Sequence, residues 1–372
     1  MPIYLVSHLK KKKIAFVIPG LEPGGAERVV STLANELCNT YEIIVITLWD
    51  VEPFYYLHNN INHIKCANRP LISKNVFQAL HNNFYLLKRL KTIFKDNEID
   101  LTIGFTTTAN ILAIIASKSK KIPCIISERS NPNIKVLGKI WTYLRKTNYK
   151  KADFIVVQTK QNLSYFSKFT TKKKLTILPN PLSSELISNK KRNTSKENIV
   201  LSVGRLDKNK SQDLLIRAFS NINTDGWRLI FVGEGLEKHN YINLTKSLEL
   251  ESKVSFVGNS TKVYDYYNSS KIFAFTSQSE GFPNVLIEAM YFELPCISTN
   301  CPSGPSEIIN EGSNGFLIPV NDQNSLEKKL SLLMSSEDLR KNIGENAYLN
   351  AKEYQTENIV KRWDKIIQKL IQ

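Results

Sequence analysis

The stretch Lys13–Leu37 reads KIAFVIPGLEPGGAERVVSTLANEL. Its pattern predicts a strand over Lys13–Pro19, a turn punctuated by prolines and glycines up to Gly25, and a helix over Glu27–Leu37. The same alternation continues downstream. Strands are predicted over Tyr41–Leu48, Asp100–Phe105, Ile122–Ser127 and Phe154–Gln158, with helices over residues 73–95 and Ala109–Ser117. Short β-rich runs separated by helices are the mark of parallel sheets in α/β layers, so a first doubly wound sheet is expected to end near Leu178.

From Pro179 to Asn198 the chain turns polar, with Pro, Asn and Ser punctuation and little hydrophobic periodicity, and reads as a linker. The pattern then restarts: strands over Ile199–Gly204, Trp227–Gly233, Val254–Gly258, Ile272–Thr276 and Cys296–Thr299, and helices over Gln212–Asn221, Glu237–Leu248, Val263–Tyr267 and Asn284–Phe292. A second sheet of the same kind follows. In the last segment Ile359, Trp363, Ile366, Ile367 and Leu370 recur at helical spacing and predict a terminal helix docked on the body. The expected division is therefore one domain over residues 1–183, a second over 184–354 and a terminal helix over 355–372.

Length and composition agree with this. The 372 residues are too many for one compact core, and 42% hydrophobic with 23% charged residues is globular usage that excludes a disordered or collagen-like chain. No apolar run approaches the roughly 20 residues that cross a bilayer. The first thirteen residues carry their charges after their apolar part, the reverse of a secretory signal. Five scattered cysteines without a CxxC pair argue against a disulfide framework or structural zinc. A cytoplasmic setting is expected.

The formal net charge of +16 lies entirely in the first half: residues 1–183 hold 27 Lys/Arg against 11 Asp/Glu, residues 184–372 hold 23 against 23. That asymmetry points to an anionic partner for the first half. In residues 73–95, Val76, Phe77, Leu80, Phe84, Leu87 and Leu90 lie at roughly helical spacing, with Lys88, Arg89, Lys91 and Lys95 at the end. Residues 136–151 interleave Trp141, Tyr143 and Tyr149 with five cations, and Lys172–Lys174 follow. Aromatic and basic side chains together form an interfacial pattern, so an anionic membrane surface is the expected partner. Helix-turn-helix, zinc-finger and RNP signatures are missing, which argues against nucleic acid.

Three constellations carry chemistry. The paired glycines Gly24 and Gly25 open a helix, where backbone can approach a ligand closely and free N–H groups favour phosphate. Gly204-Arg205-Leu206-Asp207-Lys208-Asn209-Lys210 follows the first strand of the second sheet, where Arg205 and Lys210 can neutralise a diphosphate in an interdomain crevice. In Ser279–Met290, Glu280 sits in a loop after a strand and Glu288 about a turn into the next helix, flanking Gly281-Phe282-Pro283-Asn284. Two carboxylates around an anion-binding turn suit a diphosphate with a sugar at each end. Taken singly, each has a plainer reading: a tight turn, a helix-capping basic turn, and helix-end charges.

Together, Gly24–Arg28 (GGAER), Gly204–Lys210, the Glu-x7-Glu of Glu280 and Glu288, and the Cys301-Pro-Ser-Gly-Pro-Ser-Glu-Ile-Ile stretch resemble the retaining GT4 family of glycosyltransferases, in order and over essentially the whole chain. The resemblance implies an α/β GT-B architecture: two Rossmann-like doubly wound domains facing a cleft, acceptor on the N-terminal one and nucleotide sugar on the C-terminal one. It further implies that Glu280 binds donor-sugar hydroxyls, Glu288 the ribose, and Arg205 and Lys210 the diphosphate, with Gly25 approaching phosphate from the other side. Many relatives carry a histidine after the strand that here ends in Ile125-Ile126-Ser127. This chain has Glu128-Arg129-Ser130 instead, and Glu128 is offered as the replacement catalytic contact. The Ser-Glu-Arg and Ser-Gly-Pro-Ser-Glu-Ile forms resemble a bacterial subset that moves GalNAc or galactose from UDP onto polyprenyl-diphosphate-linked oligosaccharides.

The expected activity is thus retaining transfer of a hexose or N-acetylhexosamine, UDP-GalNAc first, to a lipid-linked or lipopolysaccharide glycan on the inner face of the cytoplasmic membrane. No Asp-x-Asp motif occurs, so no metal or other cofactor is expected and protein cations must meet the departing diphosphate. Two alternatives stand beside it: a UDP-sugar 2-epimerase on the same fold, and a catalytically silent membrane-bound partner subunit.

Overall fold

A computed structural model of the chain describes residues 10–132, 138–191 and 195–371. The start of the chain, the first two residues of the basic 136–151 stretch and residues 192–194 of the expected linker lie outside the described residues.

The first sheet has seven parallel strands: β1 (Lys13–Ile18), β2 (Glu42–Thr47), β3 (Asn62–Lys65), β4 (Leu101–Phe105), β5 (Cys124–Ser127), β6 (Phe154–Val157) and β7 (Leu175–Ile177). Their order is β3-β2-β1-β4-β5-β6-β7. The second has six: β8 (Ile199–Val203), β9 (Arg228–Val232), β10 (Val254–Phe256), β11 (Ile272–Phe275), β12 (Cys296–Thr299) and β13 (Phe316–Ile318), in the order β10-β9-β8-β11-β12-β13. Every pairing within both sheets is parallel. Helices cover both faces of each sheet, which is why central strands such as KIAFVI and EIIVIT are apolar almost throughout and buried beyond their first residue. Each sheet thus sits between two hydrophobic clusters, one per face.

Strand direction of build-up reverses between β1 and β4 and again between β8 and β11. At such switch points the loops leaving the carboxyl ends splay apart and open a crevice. The site below is built from these loops, from the helices they lead into and from the segments that follow neighbouring strands.

Three strands escaped the sequence reading for a common reason. β3 is a half-polar edge strand, NHIK, and β7 and β13 are only three residues long, too short to show a period. The expected linker also contains a helical turn, Ser184–Ser188, capped by Ser183, whose hydroxyl accepts from Leu186 N at 3.3 Å. Leu182 and Leu186 pack into a core of the second sheet, so this polar stretch is anchored by two leucines.

The helix predicted over residues 73–95 runs Val76–Asp96, but its apolar residues fall on two faces. Leu86, Leu90, Ile93 and Phe94 enter the core, whereas Val76, Phe77, Leu80 and Phe84 stay exposed, Phe77 by 84%. Ile140 and Tyr143 are exposed likewise on the helix Lys139–Tyr149.

The terminal helix Thr356–Ile371 lies against the first sheet. Its stripe of Ile359, Trp363, Ile366 and Ile367 joins the cluster containing Phe16, Phe105 and Leu33, with the Trp363 and Phe105 rings 6.2 Å apart. Tyr41 Oη donates to Asp364 Oδ1 at 2.5 Å, and Arg362 Nη2 donates to Ile177 O at 2.7 Å. Because Trp363 is fully buried, Trp363→Ala is expected to destabilise the protein by about 3–5 kcal/mol, read as a lower urea midpoint for the transition that includes the first sheet.

Candidate active site

The crevices of the two sheets face each other and form one cleft of about 670 Å³. From the first domain, the turn after β1 leads into the helix Gly25–Leu37; from the second, the turn after β11 leads into the helix Asn284–Tyr291. A side chain on Gly25 would place its Cβ 3.2 Å from Asn284 Nδ2, so the two helix N-termini converge on the same gap. The partial positive charge at the two helix N-termini makes that gap favourable for an anion, although Asn284 N and Leu286 N already donate to Phe282 O and Pro283 O at 3.0 Å.

The C-terminal wall begins at Gly204, whose φ of +149° is the strained region only glycine occupies easily. Gly233, at φ +145°, lies so close that a Cβ there would stand 2.1 Å from Gly204 O. This close packing of loops leaves Lys210 directed inward: its Nζ is 2.5 Å from Glu280 Oε1, and both side chains are largely buried, 21% and 12% exposed. Arg205 lines the cleft nearer the mouth, with Nε 3.6 Å from Asp207 Oδ2 and three quarters of its side chain in solvent.

The turn between Glu280 and Asn284 is braced from behind by the Cys301–Ile309 stretch. Ser303 Oγ donates to Gly281 O at 3.2 Å, and Gly304, at φ +115°, packs where a Cβ would meet Pro283 Cδ at 2.4 Å. Ser303 Oγ also bonds Thr159 Oγ1 at 2.9 Å, and Glu307 accepts from Lys160 N at 2.9 and 3.0 Å, capping a helix of the first domain. The motif thus holds the turn and touches the opposite domain at once.

Glu288 is buried one turn into its helix, where Arg28 Nη1 reaches Oε1 at 2.5 Å from the other domain and Tyr267 Oη donates to Oε2 at 3.0 Å. Burial first, and then Glu288, hold the Tyr267 phenol well above its ordinary range. Burial opposes the Arg28 charge, but Glu288, Tyr55 and Tyr267 together outweigh it and keep the guanidinium firmly protonated. The Arg28 guanidinium also lies 5.2 Å from the centre of the Tyr55 ring.

Gly24, Gly25, Arg205, Lys210, Glu280, Gly281, Phe282, Pro283, Asn284 and Glu288 all line the cleft. Glu128 does not. It is fully buried, and its carboxylate accepts from Tyr149 Oη at 2.7 Å, Ser130 Oγ at 2.8 Å and Thr107 Oγ1 at 3.1 Å. Glu128 N bonds Val156 O and prolongs the strand pattern past β5, so alternation turns its side chain inward and turns that of Arg129 toward the cleft.

Sequence reasoning gave no role to Arg28, Arg129, Tyr55 or Asn180, which also line the cleft. Arg28 stood inside the quoted GGAER motif, while Asn180 was absorbed into the linker; its Nδ2 donates to Asn284 Oδ1 at 2.5 Å. A Cβ on Gly281 would stand 2.4 Å from Arg129 O across the domain seam. Gly281→Ala is therefore expected to force the two walls apart. Turnover should drop at least tenfold with far-UV circular dichroism unchanged, since a displacement near 1 Å at a reacting centre costs about 10²-fold.

Residues 23–186 match the family described as Glycosyltransferase Family 4, and residues 183–350 match Glycosyl transferases group 1. The chain is 32% identical over 358 residues to a Campylobacter jejuni enzyme, GalNAc-alpha-(1->4)-GalNAc-alpha-(1->3)-diNAcBac-PP-undecaprenol alpha-1,4-N-acetyl-D-galactosaminyltransferase, covering 95% of this chain and 98% of the relative. It is 30% identical over 361 residues to the amylovoran biosynthesis glycosyltransferase AmsD of Erwinia amylovora, covering 95% and 99%. Among solved structures, Anabaena Alr3699/HepE in complex with UDP superposes with a TM-score of 0.81 at 18% identity, covering 96% of this chain and all of the other. Two facing doubly wound domains and these whole-length relatives establish that the chain is a glycosyltransferase of the GT4 family with the GT-B fold.

Proposed function

We propose that the chain is a retaining transferase that moves a hexose or N-acetylhexosamine from a UDP-sugar, UDP-GalNAc first, to a membrane-associated glycan such as a polyprenyl-diphosphate-linked oligosaccharide. The observation that carries this is the cleft itself, where Lys210, Arg205 and two helix N-termini surround one gap and Glu280 and Glu288 stand on either side of it. In this reading residues 1–183 hold the acceptor, residues 184–354 hold the nucleotide sugar, and the helix of 355–372 ties the second domain back to the first. The Campylobacter relative, whose name specifies an undecaprenol-linked acceptor, supports the acceptor class.

Breaking the bond from the anomeric carbon to the nucleoside diphosphate builds negative charge on the departing phosphate. Fixed groups aimed at that charge lower the barrier without reorganising. Lys210 Nζ and the helix dipoles that begin at Gly25 and Asn284 are such groups, and in this proposal they act without a divalent ion. Glu280 sits within hydrogen-bond distance of Lys210, so a donor sugar hydroxyl can share its carboxylate while the ammonium turns to phosphate. The acceptor hydroxyl attacks from the face the diphosphate leaves, and a phosphate oxygen takes its proton; Glu280 is no nucleophile here.

The membrane is assigned to the exposed apolar residues Val76, Phe77, Leu80 and Phe84, with Lys88, Arg89 and Lys95 exposed on the same helix. Apolar side chains beside cations fit an anionic leaflet, at about 1 kcal/mol per engaged basic residue. No helix among the described residues is long and apolar enough to cross a membrane.

The principal test is Lys210→Ala. A charge-assisted bond contributes about 1.5–3 kcal/mol, so turnover with UDP-GalNAc and a polyprenyl-diphosphate glycan should drop about ten- to two-hundred-fold while far-UV circular dichroism stays native. Wild-type activity should be the same with EDTA as with magnesium or manganese, and UDP-GalNAc should raise Tm more than GDP-mannose does. Near-normal turnover of the variant, or a strict metal requirement, contradicts the reading. Phe77→Ser/Phe84→Ser should lose most binding to phosphatidylglycerol vesicles in flotation and keep UDP binding.

A further inference from the structure

Four cations line the cleft among the described residues, and three have a carboxylate at hand: Arg28 has Glu288, Lys210 has Glu280 and Arg205 has Asp207. Arg129 has none. Its Nη1 donates to Asn180 Oδ1, and its guanidinium lies 5.4 Å from the centre of the Phe105 ring. Nε and Nη2, the edge of the fork that grips an oxyanion through two parallel bonds, are buried without an acceptor. The adjacent Glu128 does not supply one, because its oxygens serve Thr107, Tyr149 and Ser130 together with the backbone N–H groups of Arg129 and Ser130.

A charge taken out of water without a partner is costly, and the cost shows: burial pushes Arg129 down to about 9, with Glu128 offsetting part of the shift. It remains protonated at neutral pH. Beside it, Gln158 Nε2 donates to the same Asn180 oxygen at 2.5 Å, while Gln158 Oε1 is also buried and unpaired. This corner therefore offers two N–H donors suited to an anion and one acceptor suited to a hydroxyl. Asn180 connects it to Asn284 at the helix N-terminus, and the Arg129 carbonyl packs against Gly281, next to Glu280. It belongs to the end of the cleft where the sugar–phosphate bond would lie.

We infer that Arg129 is a further substrate-binding residue, whose Nε and Nη2 take two oxygens of a phosphate in a substrate diphosphate, with Gln158 Oε1 accepting a neighbouring hydroxyl. The inference rests on the transferase reading above. Both nitrogens are shielded from water in this arrangement, so the fork reaches its ligand when the contact with Asn180 yields. The diphosphate belongs either to the nucleotide or to the polyprenyl carrier.

Arg129→Gln and Arg129→Lys are compared with wild type by calorimetry, using UDP and farnesyl diphosphate as the two probes, and by thermal melting of the free protein. Arg129→Gln should weaken one probe at least tenfold, and Arg129→Lys should weaken it less. A loss confined to UDP assigns the donor diphosphate; a loss confined to farnesyl diphosphate assigns the carrier. Tm of free Arg129→Gln should stay level or rise, because an unpaired buried charge has been removed, whereas a merely structural arginine would lower it. Wild-type-like affinity of both variants for both probes, or a lowered Tm with unchanged affinities, overturns the inference and leaves the transferase reading standing. A wild type that binds neither probe overturns both.

Discussion

Two parallel sheets face each other across a gap, held by a small set of polar contacts at its rim. Arg28 reaches Glu288 from one domain to the other, Ser303 meets Thr159, Glu307 caps the helix that starts at Lys160, and Asn180 bonds Asn284. The larger apolar contact is made elsewhere, where the stripe around Trp363 docks on the first sheet. A seam built of polar bonds beside an anchored helix is suited to opening and reclosing, because such bonds contribute little net stability once water can replace them. Access to the cleft and the fit of its walls depend on that division of labour.

Charge in the cleft is balanced locally rather than uniformly. The two glutamates and the two cations facing them pair off, whereas Arg129 keeps two buried nitrogens without an acceptor. Such pairs are poised for exchange: a ligand with hydroxyls and phosphates can take both halves of a pair apart and satisfy each. The glycines at positions 204, 233, 281 and 304 bring the loops within reach, since a side chain at any of them meets a neighbouring group or demands a strained backbone. Precision here comes from close packing of backbone, not from bulky side chains.

The fold was legible because buried parallel strands leave unmistakable apolar runs. KIAFVI, EIIVIT and IVLSV announced themselves, and the restart at Ile199 gave a second sheet. What stayed hidden had no such signal. NHIK is a half-polar edge strand with no fully buried residue, LTI and FLI are shorter than any period, and the helices Gln323–Ser335 and Glu337–Ala351 are polar on most positions. The helix of Val76–Asp96 was read as one apolar stripe, whereas it buries its second half and exposes its first.

By itself the sequence determined where the longer buried strands lie and which turns are glycine-hinged, because these depend on local spacing; that the Glu-x7-Glu and Gly-Arg-Leu motifs share a site followed from the family resemblance alone. Only the tertiary structure decided which way a side chain points once its strand has ended. At the close of β5, adjacent positions go to opposite sides: Glu128 is sealed under Tyr149 and Thr107, and Arg129 faces the cleft. The pairing of Arg28 with Glu288, 260 positions apart, belongs to the same class. Partners so distant meet only because the carboxyl ends of the two sheets point into one cleft, and no local pattern in the chain encodes that encounter.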